Sequence, residues 1–243
     1  MQNESHGVAA GMGNHWWYRG RASAVASLVA RAGLPRGSCG RVLDYGCGTG
    51  HMGATLSLFG DVYGVDSSAE ALAVGHFESY TAVAQAEIDE LPGPFADSFR
   101  LLACLDVLEH VEDDAGLLGK LSSLLDRDGL VVTSVPMWPE LYCSIDEEAG
   151  HVRRYSKATL GDLFARARMR PVASSGYVVV LLPFARAHRR RVISGRSSSV
   201  EEYRTPPALA NSLLAAIART EGRLARYVAL PTGLSRLTVL RRA

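Results

Sequence analysis

The sequence predicts an α/β fold in which helices cover both faces of a doubly wound, mainly parallel sheet. Two observations predict it: five short apolar runs alternate with stretches of helical periodicity, and a glycine-rich segment follows the first run. Runs of this length and composition are typical of buried parallel strands, and glycine turns follow the first strand of many such sheets. The five strands are predicted at residues 41–45, 61–65, 82–86, 101–105 and 130–135.

Helices and two further strands are predicted around this repeat. Residues 22–32 have helical spacing and end at Gly33, and Ser156 is a suitable N-cap for a helix over 157–168. The three crossover helices are predicted at 53–59, 68–77 and 115–125, and the sixth and seventh strands at 175–182 and 234–240.

The segment between the last two strands, residues 183–231, is predicted to be an insert. Its first part, 183–199, is rich in arginine and is expected to be an exposed basic connector. Pro206 and Pro207 then begin a helix. The apolar residues that lie near one face of this helix are Leu209, Leu213, Ile217, Leu224 and Val228.

The composition is that of one large globular domain. The chain has 243 residues, 47% of them hydrophobic and 21% charged, and we expect the domain to cover 14–243 after a flexible leader over 1–13. The four cysteines lack CxxC or Cys/His spacing, so we expect reduced thiols and no zinc site. No signal peptide pattern begins the chain, and the longest apolar run, 177–185, is too short to span a bilayer. The expected location is the cytoplasm.

Charge is divided unevenly along the chain. Residues 1–150 contain 8 Lys and Arg against 21 Asp and Glu, whereas residues 151–243 contain 18 against 4. Either the two halves attract each other within one fold, or the basic half faces an anionic ligand or surface. The basic residues lack interleaved aromatic residues and no nucleic-acid recognition motif is present. Nucleic acid is therefore not an expected partner.

The segment with the most chemical information is Asp44-Tyr-Gly-Cys-Gly-Thr-Gly50, which connects the first strand to the first crossover helix. Glycine there permits unusual dihedral angles and close approach of a small molecule to the backbone. A dinucleotide-binding fingerprint would need a third glycine one residue later, but that residue is His51. The spacing argues against NAD.

An acidic residue followed by x-Gly-x-Gly-x-Gly is the pattern of class I S-adenosylmethionine (SAM) methyltransferases, and the chain resembles this family from about His15 to its end. Asp66 ends the second strand, where a carboxylate of this family binds the ribose hydroxyls. The pair Glu87-Ile88 stands where the family contacts adenine, with Glu in place of the usual Asp. Leu105-Asp-Val-Leu-Glu-His-Val111 is similar to the family's fourth-strand signature.

The resemblance implies a SAM site and an antiparallel seventh strand. The segment His15-Trp-Trp-Tyr-Arg-Gly20 is similar to an element of one methyltransferase subgroup, in which Tyr18 and Arg19 would close over the cofactor. Alternatively, Trp16 and Trp17 attach the first helix to the core. Asp44 would hold the glycine turn and the amino group of the cofactor. The residues implied to bind SAM, or the product S-adenosylhomocysteine (SAH), are Tyr18, Arg19, Asp44, Gly46, Cys47, Gly48, Gly50, Asp66, Ser67, Glu87, Ile88 and Leu105.

The candidate acceptor residues follow the fourth and fifth strands. His110 and His151 are candidate bases, because histidine titrates near neutral pH and a hydroxyl acceptor must lose a proton. The subgroup has a similar Gly-His-x-Arg-Arg-Tyr run, which implies acceptor contacts for His151, Arg154 and Tyr155 and makes Tyr155 a further catalytic candidate. One alternative is that His110 only organises its loop. The other is that the loop's arginines pair with Asp146, Glu147 and Glu148.

We expect O-methylation of a small-molecule, glycan or lipid-linked acceptor, anionic acceptors included. The alternatives are N- or C-methylation, a non-methylating reaction such as cyclisation, and a binding module without catalysis. No Asp-Asn pair of the kind used by catechol-type metal methyltransferases follows the fifth strand, so no metal is expected. The insert is expected to be a lid, a peripheral membrane contact, a layer on the sheet or a homodimer face.

Overall fold

A computed structural model describes residues 15–196 and 206–243, so the predicted leader over 1–13 lies outside the described residues. The strands are β1 (Gly40–Tyr45), β2 (Gly60–Asp66), β3 (Ala82–Gln85), β4 (Phe99–Leu105), β5 (Leu125–Pro136), β6 (Met169–Tyr177) and β7 (Ser235–Arg242). They form one sheet in the order β3-β2-β1-β4-β5-β7-β6. The first five strands are parallel, and β7 is antiparallel to both of its neighbours. The predicted fold class is confirmed.

Helices precede and connect these strands. They are α1 (Trp16–Arg31), α2 (Gly53–Leu56), α3 (Ala69–Ala73), α4 (Asp114–Ser123), α5 (Ser144–Glu148), α6 (Lys157–Arg166), α7 (Leu182–Ile193) and α8 (Ala208–Leu224). The predicted cap of α6 is present, because Oγ of Ser156 accepts the N–H of Thr159 at 3.1 Å. The sequence analysis missed α5 and α7.

Side chains of the central strands alternate between two apolar cores. Val42 of β1 packs in the core that includes α1, whereas Leu43 packs on the opposite face of the sheet with α4 and α6. Leu101 and Leu102 of β4 divide in the same way. Because both faces of these strands are buried, their sequences are the near-continuous apolar runs from which the sheet was predicted.

The direction in which strands are added reverses between β1 and β4. β1 pairs with β2 on one side and with β4 on the other. Tyr45, the last residue of β1, lies opposite Cys104 near the end of β4. Ligands of open α/β sheets bind in the crevice beyond the carboxyl ends of the strands at such a reversal. The fold therefore brings the glycine loop and the segment after β4 side by side.

The predicted sixth strand starts and ends too late. β6 ends at Tyr177, and the next residue, Val178, has a φ angle of 58°, so the apolar run that follows leaves the sheet. β6 pairs only with β7, at the edge of the sheet. An edge strand tolerates polar residues and a proline such as Pro171, because one side of its backbone has no ladder to complete.

The predicted basic connector over 183–199 is also corrected, since its described part belongs to α7. Pro183 stands in the first turn of this helix, where a backbone N–H is not needed. Leu182, Arg189 and Val192 are buried at helical spacing. The arginines of this segment are therefore divided between a buried and an exposed side of one helix.

α8 packs on α1 through small residues. A Cβ added to Gly20 of α1 would lie 2.4 Å from Cβ of Ala218, so the two helices approach closely there. The buried residues of α8 are Asn211, Ala215, Ala218, Glu221 and Gly222. The predicted apolar face therefore points outward, with Leu209 89% and Leu213 63% exposed. Within residues 15–196 and 206–243, no helix has the length and apolar character needed to cross a bilayer.

Candidate active site

Three glycines of the loop after β1 have positive φ angles. The angles of Gly46, Gly48 and Gly50 are 74°, 53° and 83°, in the left-handed region that favours glycine. A Cβ on Gly46 would lie 2.4 Å from Cγ2 of Val107, in the segment after β4. A Cβ on Gly48 would have no described atom within 4 Å. The loop leaves an open cradle at Gly48, which fits close approach of a cofactor.

Asp66, at the end of β2, is hydrogen-bonded to this loop. The backbone N–H of Gly48 donates to Oδ2 of Asp66 at 2.7 Å, and that of Ser68 donates to Oδ1 at 2.9 Å. Each carboxylate oxygen retains capacity to accept a ribose hydroxyl. Ser67 is exposed beside it, and the side-chain amide of Gln85 donates to the Ser67 carbonyl at 3.1 Å. The residues predicted at the ribose therefore lie together.

The predicted adenine residues follow β3, which is the neighbour of β2. Gln85 lies opposite Asp66 in the sheet register. Glu87 is exposed and Ile88 is half-buried. Burial raises the pKa of Tyr45 to about 12. Tyr45 and Ile88 pack in the same apolar core. This packing joins the end of β1 to the predicted adenine segment.

Asp44 is a buried carboxylic acid beneath the glycine loop. It is 2% exposed, and the hydroxyl of Tyr80 donates to its Oδ2 at 2.7 Å. Burial raises the pKa of Asp44 to about 6, although the Tyr80 hydrogen bond and the charge of Arg21 oppose the shift. When ionised, this group can bind the ammonium of an amino-acid-like ligand. Burial also raises the pKa of the nearby Cys47 thiol, which is therefore protonated and not a nucleophile.

Arg21 of α1 forms a salt bridge with Asp106, the residue that follows β4. The hydroxyl of Ser134 donates to the same carboxylate, and the Arg21 guanidinium lies 5.0 Å from the ring centre of Tyr18. The sequence analysis missed Arg21 because it began the helix one residue later. The signal was present: Arg21 precedes the buried Ala24 and Leu28 at helical spacing, where a charge needs a partner.

A cavity of about 830 Å³ opens beside these residues, a volume typical of small-molecule sites. The predicted site residues that line it are Tyr18, Asp44, Gly46, Cys47, Gly48, Leu105, His110, His151 and Arg154. Those outside its lining are Arg19, Gly50, Asp66, Ser67, Glu87, Ile88 and Tyr155. The cavity thus joins the glycine loop to the candidate bases, and the ribose and adenine residues lie beyond it along the strand ends.

The insert forms part of the cavity wall. Leu181, Phe184 and His188 from the α7 region and Leu214 from α8 line the cavity, opposite Trp16 at the start of α1. Arg186, on the outer side of α7, stacks 4.5 Å above the ring of Trp138 and pairs with Glu140 at 3.3 Å. The described part of the insert is therefore held against the body of the protein and adds an apolar surface to the site.

His110 and His151 contact each other in this cavity. Their ring centres are 4.8 Å apart, with an angle of 81° between the planes. Nδ1 of His110 lies 3.1 Å from the carbonyl oxygen of Gly150, to which it donates when protonated. Burial and the neighbouring His151 lower the pKa of His110. The His110 ring is neutral at pH 7, so its Nε2 can accept a hydrogen bond.

Glu109 is a buried acid beside the two histidines. It is 1% exposed, and its Oε2 has no hydrogen-bond partner among the described residues. Burial and the nearby charge of Asp106 raise the pKa of Glu109 well above its usual value. Glu109, His110 and His151 each place a ligand atom within 4.8 Å of the others. The ligand atoms of one bound metal ion lie about 2 Å from the ion and therefore less than 4.8 Å from each other. We assign no metal here.

Asp146 of α5 is fully buried among cationic groups. Its Oδ1 accepts Nε of Arg154 at 2.7 Å, and its Oδ2 accepts Nη1 of Arg189 at 2.6 Å. Nδ1 of His151 lies 3.0 Å from Oδ1. Burial opposes ionisation of Asp146, but the His151 hydrogen bond and the charges of Arg154 and Arg189 outweigh it and lower the pKa of Asp146 to about 2.

The salt-bridged alternative for the loop after β5 therefore holds for Asp146. Arg154 pairs with Asp146 while still lining the cavity. Arg153 pairs instead with Glu112 at 3.0 Å and Asp114 at 3.2 Å, which precede and begin α4.

Tyr155 is corrected as a candidate catalytic and acceptor-binding residue. It is 2% exposed and packs in the core with α4 and α6. Its hydroxyl donates to the carbonyl of Leu108 at 3.0 Å and lies 3.1 Å from Oδ2 of Asp114. These contacts fix the loop after β4 from behind, and the ring does not line the cavity.

The strand order, the antiparallel β7, and the glycine loop closed by an acidic strand end define the class of protein: a Rossmann-like class I SAM-dependent methyltransferase. A family model described as a methyltransferase domain matches residues 16–172. The chain belongs to this family of methyltransferase enzymes, whose cofactor is SAM.

Curated and solved proteins agree with this assignment. The chain is 28% identical to a ubiquinone biosynthesis O-methyltransferase of Paraburkholderia phymatum over 60% of its own length and 62% of that protein, which is less than two thirds of the relative. A complex of the Haloferax volcanii Trm112 activator with a methyltransferase matches with a TM-score of 0.58 and 18% identity, over 98% of this chain and 94% of that chain. Magnesium protoporphyrin IX methyltransferase of Synechocystis, with bound SAH, matches with a TM-score of 0.55 and 16% identity, over 93% and 83%. These two structures share the fold.

Proposed function

We propose that the protein transfers the methyl group of SAM to a hydroxyl oxygen of a largely apolar small-molecule acceptor. The observation that carries the proposal is one cavity lined both by the glycine loop and by two histidines in contact, His110 and His151. Alignment of an acceptor and exclusion of water are the main requirements of methyl transfer. A base is needed when the acceptor atom has a proton, as a hydroxyl does.

The residues around the glycine loop fit the methyl donor. Asp44 would bind its ammonium group, Asp66 its ribose hydroxyls, and the segment at Glu87 and Ile88 its adenine. When bound, SAM supplies a methyl group that its positively charged sulfur has already activated. Tyr18, held over Arg21, closes this part of the cavity and excludes water.

The histidine pair would handle the proton of the acceptor. His151 accepts it, and neutral His110 holds the hydroxyl through a hydrogen bond. The two rings are in contact, so one hydroxyl oxygen can lie within reach of both. Oε2 of Glu109, which has no hydrogen-bond partner among the described residues, is a further polar group beside the pair.

The cavity lining favours an apolar acceptor. Phe184 and Leu214 of the insert, together with Trp16 and Leu181, present apolar surface to the cavity. An acceptor with an aromatic or acyl body would bury that surface, which stabilises its complex by about 25 cal/mol for each Å² of apolar area removed from water. The name of the O-methyltransferase relative supports oxygen as the accepting atom.

The outer side of the insert favours a lipid-linked acceptor presented at an anionic membrane surface, over a free glycan. Phe184, at the cavity, is 72% exposed, and Leu209 of α8 is still more exposed. Arg190 and Arg191 are exposed on α7. Exposed apolar side chains beside arginines are typical of peripheral membrane binding. A homodimer through the same surface is the competing arrangement, and the free cysteines favour a reducing, cytoplasmic location.

The experiment supplies SAM with an isotopically labelled methyl group to the purified protein and a long-chain alkylphenol, octylphenol. Octylamine is the matched probe with the same chain and a nitrogen acceptor. The proposal expects label in the methyl ether of octylphenol, equimolar SAH, and loss of turnover in His151→Gln. Asp162→Asn, on the exposed side of α6, is a control that should retain turnover.

Each alternative outcome contradicts the proposal in a distinct way. Label only in the amine indicates N-methylation, and label on a ring carbon of the phenol indicates C-methylation. Consumption of a membrane-extract component without SAH release indicates a non-methylating reaction. Binding of SAH without turnover of any component of a membrane extract indicates a binding module.

A further inference from the structure

Asp146 and His151 form a carboxylate–imidazole pair at the cavity wall. Oδ1 of Asp146 lies 3.0 Å from Nδ1 of His151, which is hydrogen-bond distance. The carboxylate is fully buried, whereas the imidazole lines the cavity. A carboxylate can only accept, so Nδ1 of His151 carries the proton and Nε2 is left with the lone pair.

The pair is held from three separate segments. Arg154 lies three residues after His151 in the same loop and contacts Asp146. Arg189 contacts Asp146 from α7 of the insert. The backbone N–H of Cys143 donates to Oδ2 at 3.1 Å, which ties the carboxylate to the start of α5. With both arginines in place Asp146 is ionised throughout the pH range in which methyl transfer would be measured.

We infer that Asp146 is a positioning residue for methyl transfer: it fixes His151 with Nδ1 protonated, so that Nε2 accepts the proton of the acceptor hydroxyl. Arg189 makes this arrangement depend on α7 being seated against the loop. The inference rests on the proposed function, because a base matters only if the acceptor has a proton to lose.

Methyl transfer breaks one bond of the donor for the bond that it forms. The acceptor oxygen forms a bond to the methyl carbon while the bond from that carbon to sulfur breaks, and the sulfur keeps the electron pair. The hydroxyl proton moves to Nε2 of His151, and the resulting imidazolium is stabilised by ionised Asp146. The proton then leaves to solvent, and SAH and the methyl ether are the products.

Several ionisable groups lie near His151 or near its partner Asp146. They come from the segment after β4, the loop after β5, α5 and α7. Besides Asp146 they are Glu109, His110, Tyr142, Arg154, His188 and Arg189.

The first test measures the His151 tautomer by long-range proton–nitrogen NMR of the imidazole rings, with SAH bound. His151→Gln identifies the signal. The inference expects protonated Nδ1 and unprotonated Nε2 in the wild type, and a lower population of this tautomer in Asp146→Asn. Asp146→Asn removes a counter-charge from buried arginines, so the double variant Asp146→Asn/Arg189→Gln, which removes one charge of each sign, is measured beside it.

The second test compares two acceptors that differ in their need for a base. Octylphenol has its proton at pH 7.5, whereas a dinitro-substituted octylphenol is already ionised. For octylphenol, kcat should fall by about 100-fold or more in both Asp146 variants, the range of general base catalysis, with little change in KM for SAM. For the nitrophenol the fall should be less than about threefold, because no proton remains to be removed.

Controls separate positioning from folding and from a metal role. Asp114→Asn also removes a buried carboxylate from two arginines, but Asp114 has no contact with a cavity histidine, so the ratio of the two phenol rates should not change. Circular dichroism and SAH titration establish that each variant is folded. All rates are repeated with EDTA, which should have no effect.

The inference is overturned by an equal loss of rate for both phenols, by an unchanged tautomer in the folded Asp146 variants, or by loss of activity in EDTA. Each of these results leaves the proposed function standing, provided that wild-type protein methylates octylphenol. Absence of methylation of either phenol by the wild type, with the expected tautomer present, counts against the proposed function instead.

Discussion

The backbone N–H of Gly48 donates to Oδ2 of Asp66 at 2.7 Å and so joins the glycine loop after β1 to the end of β2. The two residues are the centres of separate sequence motifs, one expected to hold the methionine end of SAM and the other its ribose. Because Asp66 also accepts the N–H of Ser68, the carboxylate fixes both strand ends before any ligand binds. A fixed loop reduces the entropy that cofactor binding would otherwise lose.

Two loop glycines should differ in what their substitution changes. A Cβ on Gly50 would lie 2.3 Å from the backbone oxygen of His76, whereas a Cβ on Gly48 would meet no described atom within 4 Å. Both positions have positive φ, which costs about 1–2 kcal/mol for alanine. Urea unfolding should therefore show that Gly50→Ala is the more destabilised variant.

Gly48→Ala should change SAH affinity more than folding stability. SAH titration should show a folded protein whose affinity for SAH is strongly reduced, because the alanine methyl group occupies the cradle. Gly119→Ala, within α4, is a control with ordinary φ and open space, and should not be destabilised. Equal SAH affinity in wild type and Gly48→Ala would contradict the placement of the cofactor at this loop.

SAH affinity should fall as the pH is lowered through about 6, the pKa of Asp44. Burial raises the pKa of Asp44 from its ordinary value of 3.8 to about 6 in the free protein, so ionisation of Asp44 reduces folding stability as the pH rises through this range. Binding of an ammonium group requires the ionised form, so affinity should fall by up to about tenfold per pH unit below the pKa. Calorimetry between pH 5 and pH 7.5 measures this, in the range around that pKa of about 6.

The matched variant for this pH dependence is Asp44→Asn. It should bind SAH weakly and with a nearly constant affinity over the same range, because the titrating group is gone. The charged or titratable neighbours of Asp44 include Arg21, Asp66, Tyr80 and the Cys47 thiol. A pH profile that is the same in wild type and variant would show that a group other than Asp44 titrates.

Arg21→Met should destabilise the fold by about 2 kcal/mol, less than for a fully buried pair, because a quarter of the Asp106 side chain reaches solvent. The methionine fills the space of the stem, and Asp106 is left with only the Ser134 hydroxyl. Urea unfolding measures the difference. Arg100→Met removes a surface arginine from Asp126 and should cost less than about 1 kcal/mol. Similar effects for the two variants would contradict the buried role of Arg21.

The outer side of the insert should bind anionic vesicles. Phosphatidylglycerol vesicles should sediment more of the protein than phosphatidylcholine vesicles do. Arg190→Glu/Arg191→Glu should weaken this binding at least about 30-fold, because two arginines lost at about 1 kcal/mol each amount to about 2 kcal/mol. Leu209→Ser/Leu213→Ser should weaken it as well, because these exposed side chains would enter the interface.

Two substitutions of the same kind elsewhere serve as controls for the vesicle experiment. Arg170→Glu is on the exposed side of β6, and Leu58→Ser changes an exposed leucine after α2. Neither should alter sedimentation. A change of mass in solution in the Leu209→Ser/Leu213→Ser variant, with vesicle binding intact, would assign this face to a homodimer.

The strands that the sequence predicts best are those buried on both faces. Val42 and Leu101 belong to apolar runs that have no other stable position than the centre of a sheet. β6 could not be predicted in this way, because it is an edge strand with a polar sequence, and the more apolar residues after Tyr177 lie in a turn and in α7. Periodicity detects burial, and an edge strand is buried less.

The residues of the candidate site also divide into those that the sequence predicts and those that it does not. Gly48 and Asp66 could be predicted because their roles depend on backbone conformation and on the order of motifs along the chain. The pairing of Arg21 with Asp106, and of Arg189 with Asp146, joins residues far apart in sequence. Tyr155 belonged to a predicted motif but serves the core. Long-range pairs depend on how helices pack, which local sequence does not determine.

The measurement that tests the central claim most directly is a calorimetric titration of SAM and SAH into the wild type and into Asp66→Ala. Asp61→Ala, an exposed acid on the same strand, is the control. The account predicts saturable one-to-one binding of both ligands to wild type and control, and its loss in the folded Asp66→Ala variant. Folded wild-type protein that binds neither SAM nor SAH would contradict it.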